Sequence, residues 1–452
     1  MLNIKTDSRL IQTGDIFVAI KGHTVDGHNY IDEAIKNGAT KVVAMYGEYS
    51  VETLIVEDTE KYLNEYLVKN ISKEFEDIKF IGITGTNGKT TTAYLTSQIL
   101  TELNIDNAYI GTIGFYINSK LIKELPNTTP DILALYNLIL DSKNKGVKVI
   151  VMEVSSHSLS LGRINGIKFD VAGFTNLTED HLDYHETMEK YLDAKKLILN
   201  YIKDNGVIVS NIDDKYGKSF IYKNFKTLGF NESNYNIKEY EYTNLTTKIK
   251  FVFNNREYNV ETNLLNKFNI YNYLTALAFV NNLGVSIEDI INVTNKIKAP
   301  NGRNEIISVN GGKAIIDYAH TPDAVEKIIE STLEKRCGKV ITIVGCGGDR
   351  DPKKRPIMGE IATRLSDYVI FTNDNPRTED EVKIMNDILS GVNKDNYKVI
   401  YDRKEAIKSG LDMISENDTL LILGKGHEDY QIIGHEKIHL SDKEEVLNYI
   451  NS

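Results

Sequence analysis

Cysteine is nearly missing from this 452-residue chain: Cys337 and Cys346 are its only two, and they make no CxxC spacing. That excludes a disulfide framework and fits a reducing compartment, so a cytoplasmic location is expected. A basic surplus is missing too. Lys and Arg number 53 against 64 Asp and Glu, a formal net charge of −11, and no basic stripe runs along the chain. A nucleic-acid partner is therefore not expected. No apolar run approaches the ~18 residues of a membrane span. No charged-then-apolar leader opens the sequence, so neither a membrane span nor secretion is expected. What is present is 41% hydrophobic and 26% charged residues. That is the balance of a globular chain with sizeable cores, and the length suits two or three domains.

The order of elements predicts α/β domains throughout. In residues 1–78, 16–20, 41–44 and 53–56 read as strands, and 30–37 reads as a helix stopped at Gly38. From residue 79 the organisation changes. Strands are expected at 80–84, 147–153 and 171–174, with a helix over 89–103, which implies a parallel sheet covered on both faces. Residues 248–260 alternate as an antiparallel appendage would. The stretch Ala-Pro-Asn-Gly-Arg-Asn-Glu over 299–305 reads as a break. After it five strands, at 313–317, 340–344, 368–372, 397–401 and 419–423, predict a second doubly wound domain whose ligands gather at the C-terminal ends of its strands. The expected division is 1–78, 79–301 and 302–452.

Residues 81–92 read IGITGTNGKTTT, a strand, a Gly-rich turn and a helix start. Backbone N–H groups of such a loop cradle phosphates, Lys89 reaches the β/γ oxygens and Thr90 coordinates magnesium. The strict GxxxxGK[ST] pattern is not met, because Ile83 occupies its first Gly position; the loop is the variant Gly85-Thr86-Asn87-Gly88-Lys89-Thr90. In VMEVSSH, over 151–157, Glu153 ends a buried strand where an acid can hold magnesium, while Ser155 or Ser156 is equally suited to cap a helix. His181 and His185 are four apart, which allows a zinc pair on one helix face; without a third ligand, His181 as a second-metal ligand near the ATP phosphates is the more useful reading. His435-Glu436-Lys437-Ile438-His439 matches HExxH. That motif requires a helix, and Gly434 here separates two β-like runs, 430–433 and 437–440, so a hairpin is expected instead of a zinc protease.

These motifs, in this order and over nearly the whole chain, resemble the Mur ligases. They most resemble the branch that adds the third residue of the peptidoglycan stem peptide. The resemblance implies three domains: a small α/β uridine-binding domain, a central P-loop ATPase-like parallel sheet and a C-terminal Rossmann-like domain. In the first, Asp7-Ser8-Arg9 and Gly14 to Ala19 look like the uridine-binding unit, with Ser8 at the uracil and His23 near the diphosphate. Gly85, Thr86, Asn87, Gly88, Lys89, Thr90 and Thr91 match the ATP loop. Asn127, Thr128, Thr129, Ser155 and Arg163 match the grip on the muramoyl-peptide. Thr90, Glu153 and His181 match magnesium ligands. Lys195, next to Lys196, matches the lysine that the family carbamylates, which turns a cation into an anionic ligand. Asn269 and Asn272 look like the adenine-side segment. Arg303, Asp317 and His320 continue the ATP site through GRNE and DYAH. Two departures stand out. Asn301 intervenes between Pro300 and Gly302, and Asn266-Lys267 replaces a Gly-containing pair.

The reaction so implied is ATP-dependent joining of meso-diaminopimelate to UDP-N-acetylmuramoyl-L-alanyl-D-glutamate through an acyl phosphate, releasing ADP and phosphate. Lys89, Glu153, His181 and Lys195 would be catalytic, magnesium the cofactor, and small molecules the only partners of a monomer serving cell-wall growth and division. Asp374-Asn375-Pro376-Arg377 resembles the diaminopimelate signature. Arg377 offers a planar two-pronged donor to the carboxylate that lysine lacks. Arg350, Gly424 and Glu428 complete that pocket by resemblance, Glu428 facing an ammonium. Capping or an ion pair within the protein is the plainer role for Arg377. Lysine, lanthionine or ornithine as the amine are the near alternatives. A folylpolyglutamate-type ligase should lack the uridine unit and the DNPR segment. A non-catalytic nucleotide-binding regulator is the alternative of another class, disfavoured by the intact Lys89, Glu153, His181 and Lys195 set.

Overall fold

The computed structural model describes residues 2–22, 25–243, 246–334 and 336–452. His23, expected near a diphosphate, lies outside the described residues. The first sheet is parallel, in the order Ile4–Lys5, Ile16–Val18, Lys41–Ala44, Glu52–Ile55. The expected strand at 16–20 is two residues shorter, and a 3-10 turn, Gly27–Tyr30, precedes the helix Ile31–Lys36. One face of this sheet keeps its own small core around Phe17, Ala19, Ile31 and Val42. Its other face, through Ile4, Val18 and Val43, joins the apolar cluster of the second sheet. Residues 1–78 therefore share a core with the central unit.

The second sheet has eleven strands. Its parallel centre, Phe225–Gly229, Ile202–Asn211, Phe169–Phe174, Lys79–Thr84, Val149–Glu153 and Asn107–Gly111, fixes the position of the Gly85–Thr90 loop. Lys79–Thr84 carries Phe80 into one face and Ile81 and Ile83 into the other, as the period of two requires. The helices Lys89–Glu102 and Lys267–Asn282 cover the second face; Ile132–Asn144 and the N-terminal unit cover the first. The strand Tyr235–Tyr242 leads into the expected antiparallel appendage, Thr247–Phe253 with Arg256–Thr262. A second antiparallel edge, Gly114–Ile117 and Lys120–Lys123, adds to the expected strands.

The third sheet runs Glu305–Val309, Gly312–Asp317, Thr419–Leu423, Val340–Val344, Tyr368–Phe371, Tyr397–Val399. The last five are the parallel strands expected, wrapped on both faces. The antiparallel first strand is an addition to that reading. Deep in this unit, Arg403 and Asp442 form a two-pronged pair, Nε–Oδ1 2.7 Å and Nη2–Oδ2 2.7 Å, with both side chains fully buried. It fastens the last helix, Asp442–Ile450, to the helix Arg403–Leu411. Asp442→Ala leaves a buried guanidinium without its anion, so a loss of about 3–5 kcal/mol in unfolding free energy is expected by urea titration. A loss below about 1 kcal/mol would contradict that role. Among the described residues no helix is long and apolar enough to cross a membrane.

Candidate active site

The strand Lys79–Thr84 runs out into Gly85 and the helix Lys89–Glu102 begins four residues later. The sharp turn needs glycine at both ends. Gly85 has φ +148°, and a Cβ there would meet Thr175 Oγ1 at 1.9 Å; Gly88 has φ +85°, and a Cβ would meet Asn272 Oδ1 at 2.5 Å. The rest of the loop is bonded to its surroundings. Asn87 N donates to Asn176 Oδ1 at 2.9 Å, and its side chain donates to Asp323 Oδ2 of the third unit at 3.0 Å. Lys89 folds back, Nζ donating to the carbonyls of Gly85 and Thr86 at 2.9 Å each. Thr91 is buried in the first turn of the helix.

Beside the loop, Glu153 is fully buried and saturated with donors. Oε1 accepts from Tyr109 Oη at 2.5 Å and Thr112 N at 2.9 Å; Oε2 accepts from Thr90 Oγ1 at 2.9 Å and Thr112 Oγ1 at 3.2 Å. Lys195 is buried too, its Nζ donating to Gly85 O at 2.8 Å. Burial first, and then the neighbouring Lys89, hold its amine well below the usual lysine range. His181 stands at the cleft with its side chain 47% exposed, Nε2 3.3 Å from Asp180 Oδ2. The surrounding cleft walls still push its imidazole down to about 4 by desolvation. Burial raises Asp180, but His181, His320, Lys354 and Lys89 outweigh it and keep the carboxyl below its usual range.

His185 turns away from His181: it is buried, with Nε2 2.8 Å from Ser156 Oγ. The conceivable zinc pair is thereby corrected, since the second histidine is occupied in the core. Among the described residues no three His, Cys, Asp or Glu gather as a ready metal cluster. Ser155 caps the helix Ser156–Ser160, and its hydroxyl accepts from Ser158 N at 3.1 Å. The HExxH stretch is a hairpin, Tyr430–Ile433 paired with Glu436–His439.

A cleft of about 620 Å³ runs from Asn127, Thr128, Thr129, Ser155, Arg163 and His181 to the strand ends of the third unit. There it meets Arg350, Asp374, Asn375, Arg377, Gly424 and Glu428, so the expected amine-side residues and the expected peptide-side residues share one space. Neither Arg350 nor Arg377 makes an ion pair or a hydrogen bond to a carboxylate among the described residues, although both act electrostatically on nearby Asp349. Arg350 Nη1 donates to Asp349 O at 2.9 Å and Arg377 Nη1 to Gly348 O at 2.7 Å. No ion pair of Arg377 is present among the described residues; its Nη1 braces loop carbonyls instead, Gly348 O and, at 3.5 Å, Asn375 O. Glu428 Oε2 accepts from Asn375 Nδ2 and Lys425 Nζ, both at 3.0 Å. Asp374 Oδ1 accepts from Asn375 N at 2.6 Å.

Arg303, from the crossing between units, stacks over Tyr318 at 4.3 Å and reaches Thr90 Oγ1 at 3.5 Å. Asp317 accepts from Asn304 N and Ala319 N at 2.7 and 2.8 Å, and burial raises its carboxyl. His320 is bonded at Nδ1 to Tyr318 O, 2.7 Å. Asn272 Oδ1 accepts from Thr92 Oγ1 behind the Gly85–Thr90 loop, and Asn269 Nδ2 donates to Leu265 O just ahead of its own helix. A second cavity, of about 640 Å³, lies between the first two units. Ser8 lines it, donating to Glu33 Oε2 at 2.9 Å, and Arg163 lines both cavities.

Several contributors carry no local motif. Arg355 is buried, with Nη1 on Glu379 and Asp387 at 2.9 Å each and Nη2 on Gly347 O at 3.2 Å, which ties the 345–350 loop to the 374–380 loop. Gln431 Nε2 donates to Asp374 O at 2.6 Å, and Ile432 N to Asn375 Oδ1 at 2.9 Å, so the hairpin braces the amine side. Tyr109 and Thr112 grip Glu153 from a neighbouring strand and the turn after it. Nothing in the sequence pattern singles out Asp180 or Lys354, although both line the cleft.

Three family profiles match the chain: "Mur ligase family, catalytic domain" over residues 2–74, "Mur ligase middle domain" over 83–280 and "Mur ligase, glutamate ligase domain" over 302–426. Among curated relatives, a UDP-N-acetylmuramoyl-L-alanyl-D-glutamate–2,6-diaminopimelate ligase of Fusobacterium nucleatum is 42% identical, covering 98% of this chain and 92% of the relative. One from Clostridium acetobutylicum is 39% identical over 99% and 94%. A solved structure of a ligase of that same name is 30% identical, with TM-score 0.70, covering 99% of this chain and 94% of the other. MurF of Thermotoga maritima, solved with ADP, shares the fold at 21% identity and TM-score 0.71, covering 99% and 96%.

Proposed function

The chain belongs to the Mur ligase family, and we propose that it joins meso-diaminopimelate to UDP-N-acetylmuramoyl-L-alanyl-D-glutamate at the expense of ATP, as its relatives are named for doing. The observation that carries the choice of amine is the pair of guanidinium groups that hydrogen-bond only to backbone carbonyls among the described residues, Arg350 and Arg377, in the same cleft as Glu428. Two carboxylates and two ammonium groups distinguish diaminopimelate. Cations that make no ion pair on one side of the cleft, and on the other an acid held in place by Lys425, suit that pattern, and lysine would leave the guanidinium of Arg377 unmet in a closed cleft.

In this reading residues 1–78 hold the UDP end, with Ser8 in the cavity beside Arg163. Residues 79–301 hold ATP on the Gly85–Thr90 loop with Asn269 and Asn272 behind it, and residues 302–452 bring the amine, with Arg303, Asp317 and His320 closing on the nucleotide. Thr128, Thr129, Ser155 and Arg163 orient the glutamyl carboxylate toward the γ-phosphate. Its attack gives the acyl phosphate and ADP, and Lys89 neutralises charge as it develops. The amine then attacks and phosphate leaves. Closure of the cleft keeps water from the acyl phosphate. These are reactions of cytoplasmic small molecules, and the product would feed cell-wall growth.

The donor set suits magnesium: the Thr90 hydroxyl and Glu153 carboxylate are hard oxygen ligands, and an ion there would take the place of the hydrogen bond that now joins them at 2.9 Å. Thr90, Glu153, His181 and a carbamate on Lys195 would hold such ions, which when bound offset the negative charge of the phosphates. Carbamylation suits Lys195 because a buried amine of lowered basicity is present in the neutral, nucleophilic form that takes up carbon dioxide. Native mass spectrometry in bicarbonate is expected to show one added CO₂, lost on denaturation and absent from Lys195→Ala. An unmodified native mass would contradict it.

The test of the whole reading is ADP formation that requires all three substrates, with the UDP-linked tripeptide identified by mass. ADP formation that ignores the UDP-dipeptide would overturn it.

A further inference from the structure

The ring of His427 has no part in the reaction as described above, yet it sits in the cleft. His427 lies in the loop after the strand Thr419–Leu423, beside Glu428, and it lines the cleft. Its Nδ1 is sealed from solvent without a hydrogen-bond partner; Nε2 makes no hydrogen bond among the described residues either and is not sealed, so it is the ring nitrogen left open in the cleft that His427 lines. The groups around it are Arg303 from the crossing between units, Lys425 of its own loop, Tyr318 with ring centroids 5.2 Å apart, and Glu428. Two cations beside a buried nitrogen favour a lone pair there, and an unmatched N–H would be the costlier choice. The proton of the neutral ring then belongs on Nε2. Burial, then Arg303, then Lys425 push the imidazole down to about 3, so it remains neutral at working pH and donates instead of accepting.

We propose that His427 is a catalytic residue whose Nε2–H donates to the oxyanion formed when the amine attacks the acyl phosphate. This rests on the ligase reading above. The nitrogen of the diamino acid bonds to the acyl carbon and the carbonyl electron pair moves onto oxygen. That pair returns as the C–O bond to phosphate breaks, and an amine proton leaves with the phosphate. His427 is carried on the same loop as Glu428, which faces the incoming ammonium, whereas Lys89 and Glu153 belong to the central unit. It therefore arrives with the amine and acts in the second step. Two other histidines of the cleft are engaged elsewhere, His181 with Asp180 and His320 with Tyr318 O, and His157, packed on the ring of Tyr184 at 4.2 Å, belongs to the central unit. A neutral imidazole polarising a carbonyl has precedent in enzyme chemistry.

The experiment compares the whole protein with His427→Ala and His427→Gln, since glutamine can offer an amide N–H where Nε2–H stood. With meso-diaminopimelate, kcat of His427→Ala is expected to fall about 10²-fold, the loss typical of one oxyanion donor. His427→Gln should regain part of it, with KM for the amine little changed in both. Positional isotope exchange in ATP, which needs only the UDP-dipeptide and reports acyl phosphate formation, should keep its wild-type rate in both variants. The kcat–pH profiles of wild type and His427→Ala should have the same shape. Loss of exchange together with turnover, disappearance of an acid limb from the His427→Ala profile, or glutamine as poor as alanine with a raised KM would each overturn the proposal. Wild-type protein that exchanges isotope but uses no diamino acid would overturn the amine reading, a result the wild-type control separates from failure of His427 alone.

Discussion

Lys89→Met is expected to lower kcat by about 10³-fold or more while leaving the fold and most of the nucleotide affinity in place. Among the described residues Lys89 Nζ hydrogen-bonds only to the carbonyls of Gly85 and Thr86 and makes no ion pair with a carboxylate. Burial lowers the basicity of the amine, with Arg303 adding to this and Glu153 and Asp180 opposing it. A γ-phosphate arriving on the loop restores the balance by supplying the anion, and its demand for positive charge grows as the phosphoryl group transfers. The interaction is therefore strongest in the transition state and should appear in kcat more than in KM. Steady-state kinetics with calorimetric nucleotide binding separates the two. A variant with kcat within tenfold of wild type would remove Lys89 from the chemistry.

Arg377→Ala is expected to collapse the discrimination between meso-diaminopimelate and L-lysine, which a half-buried partner of this kind, once the cleft closes over it, can set at about 10⁴-fold. The loop that carries it is built for placement. Arg377 N donates to Ile432 O at 3.0 Å, Gly434 N donates back to Arg377 O at 2.7 Å, and Arg377 holds a left-handed φ of +52° that costs a non-glycine residue energy. Strain at a cleft residue with available guanidinium donors points to function. Arg377→Lys should recover little, because a single ammonium cannot make the two-pronged contact. Relative kcat/KM for the two amines checks both variants. Unchanged selectivity in Arg377→Ala would shift the assignment to Arg350.

Much of this was legible in the chain because the signals are local. The phosphate loop needs a strand, two glycines and a helix start within a dozen residues. The hairpin over HExxH was readable from Gly434 between two short β-like runs. The parallel strands of the third unit were readable as apolar runs spaced by helices. What was missed depends on contacts far apart in sequence. The grip of Tyr109 and Thr112 on Glu153 exists only because Asn107–Gly111 pairs beside Val149–Glu153. Arg355 looks like an ordinary helix residue until the third unit folds around it. The edge strand Glu305–Val309 half-alternates in burial and comes directly after the break, so its pairing partner decides its state. The departure at Asn266 also acquires a physical reading. That residue takes φ +81° and ψ 141°, a conformation suited to glycine, and its side chain donates to Asn304 Oδ1 at 2.8 Å across the crossing between units. The strain accompanies a contact that glycine could not make.

The most direct measurement is a competition. Wild-type protein, ATP, magnesium and UDP-N-acetylmuramoyl-L-alanyl-D-glutamate are supplied with equal meso-diaminopimelate and L-lysine, and the UDP-linked products are weighed by mass spectrometry. The diaminopimelate product is expected almost alone, with one ADP and one phosphate per amide. A product mixture tracking the supply of the two amines, or one dominated by lysine, would contradict the assignment of this cleft to diaminopimelate.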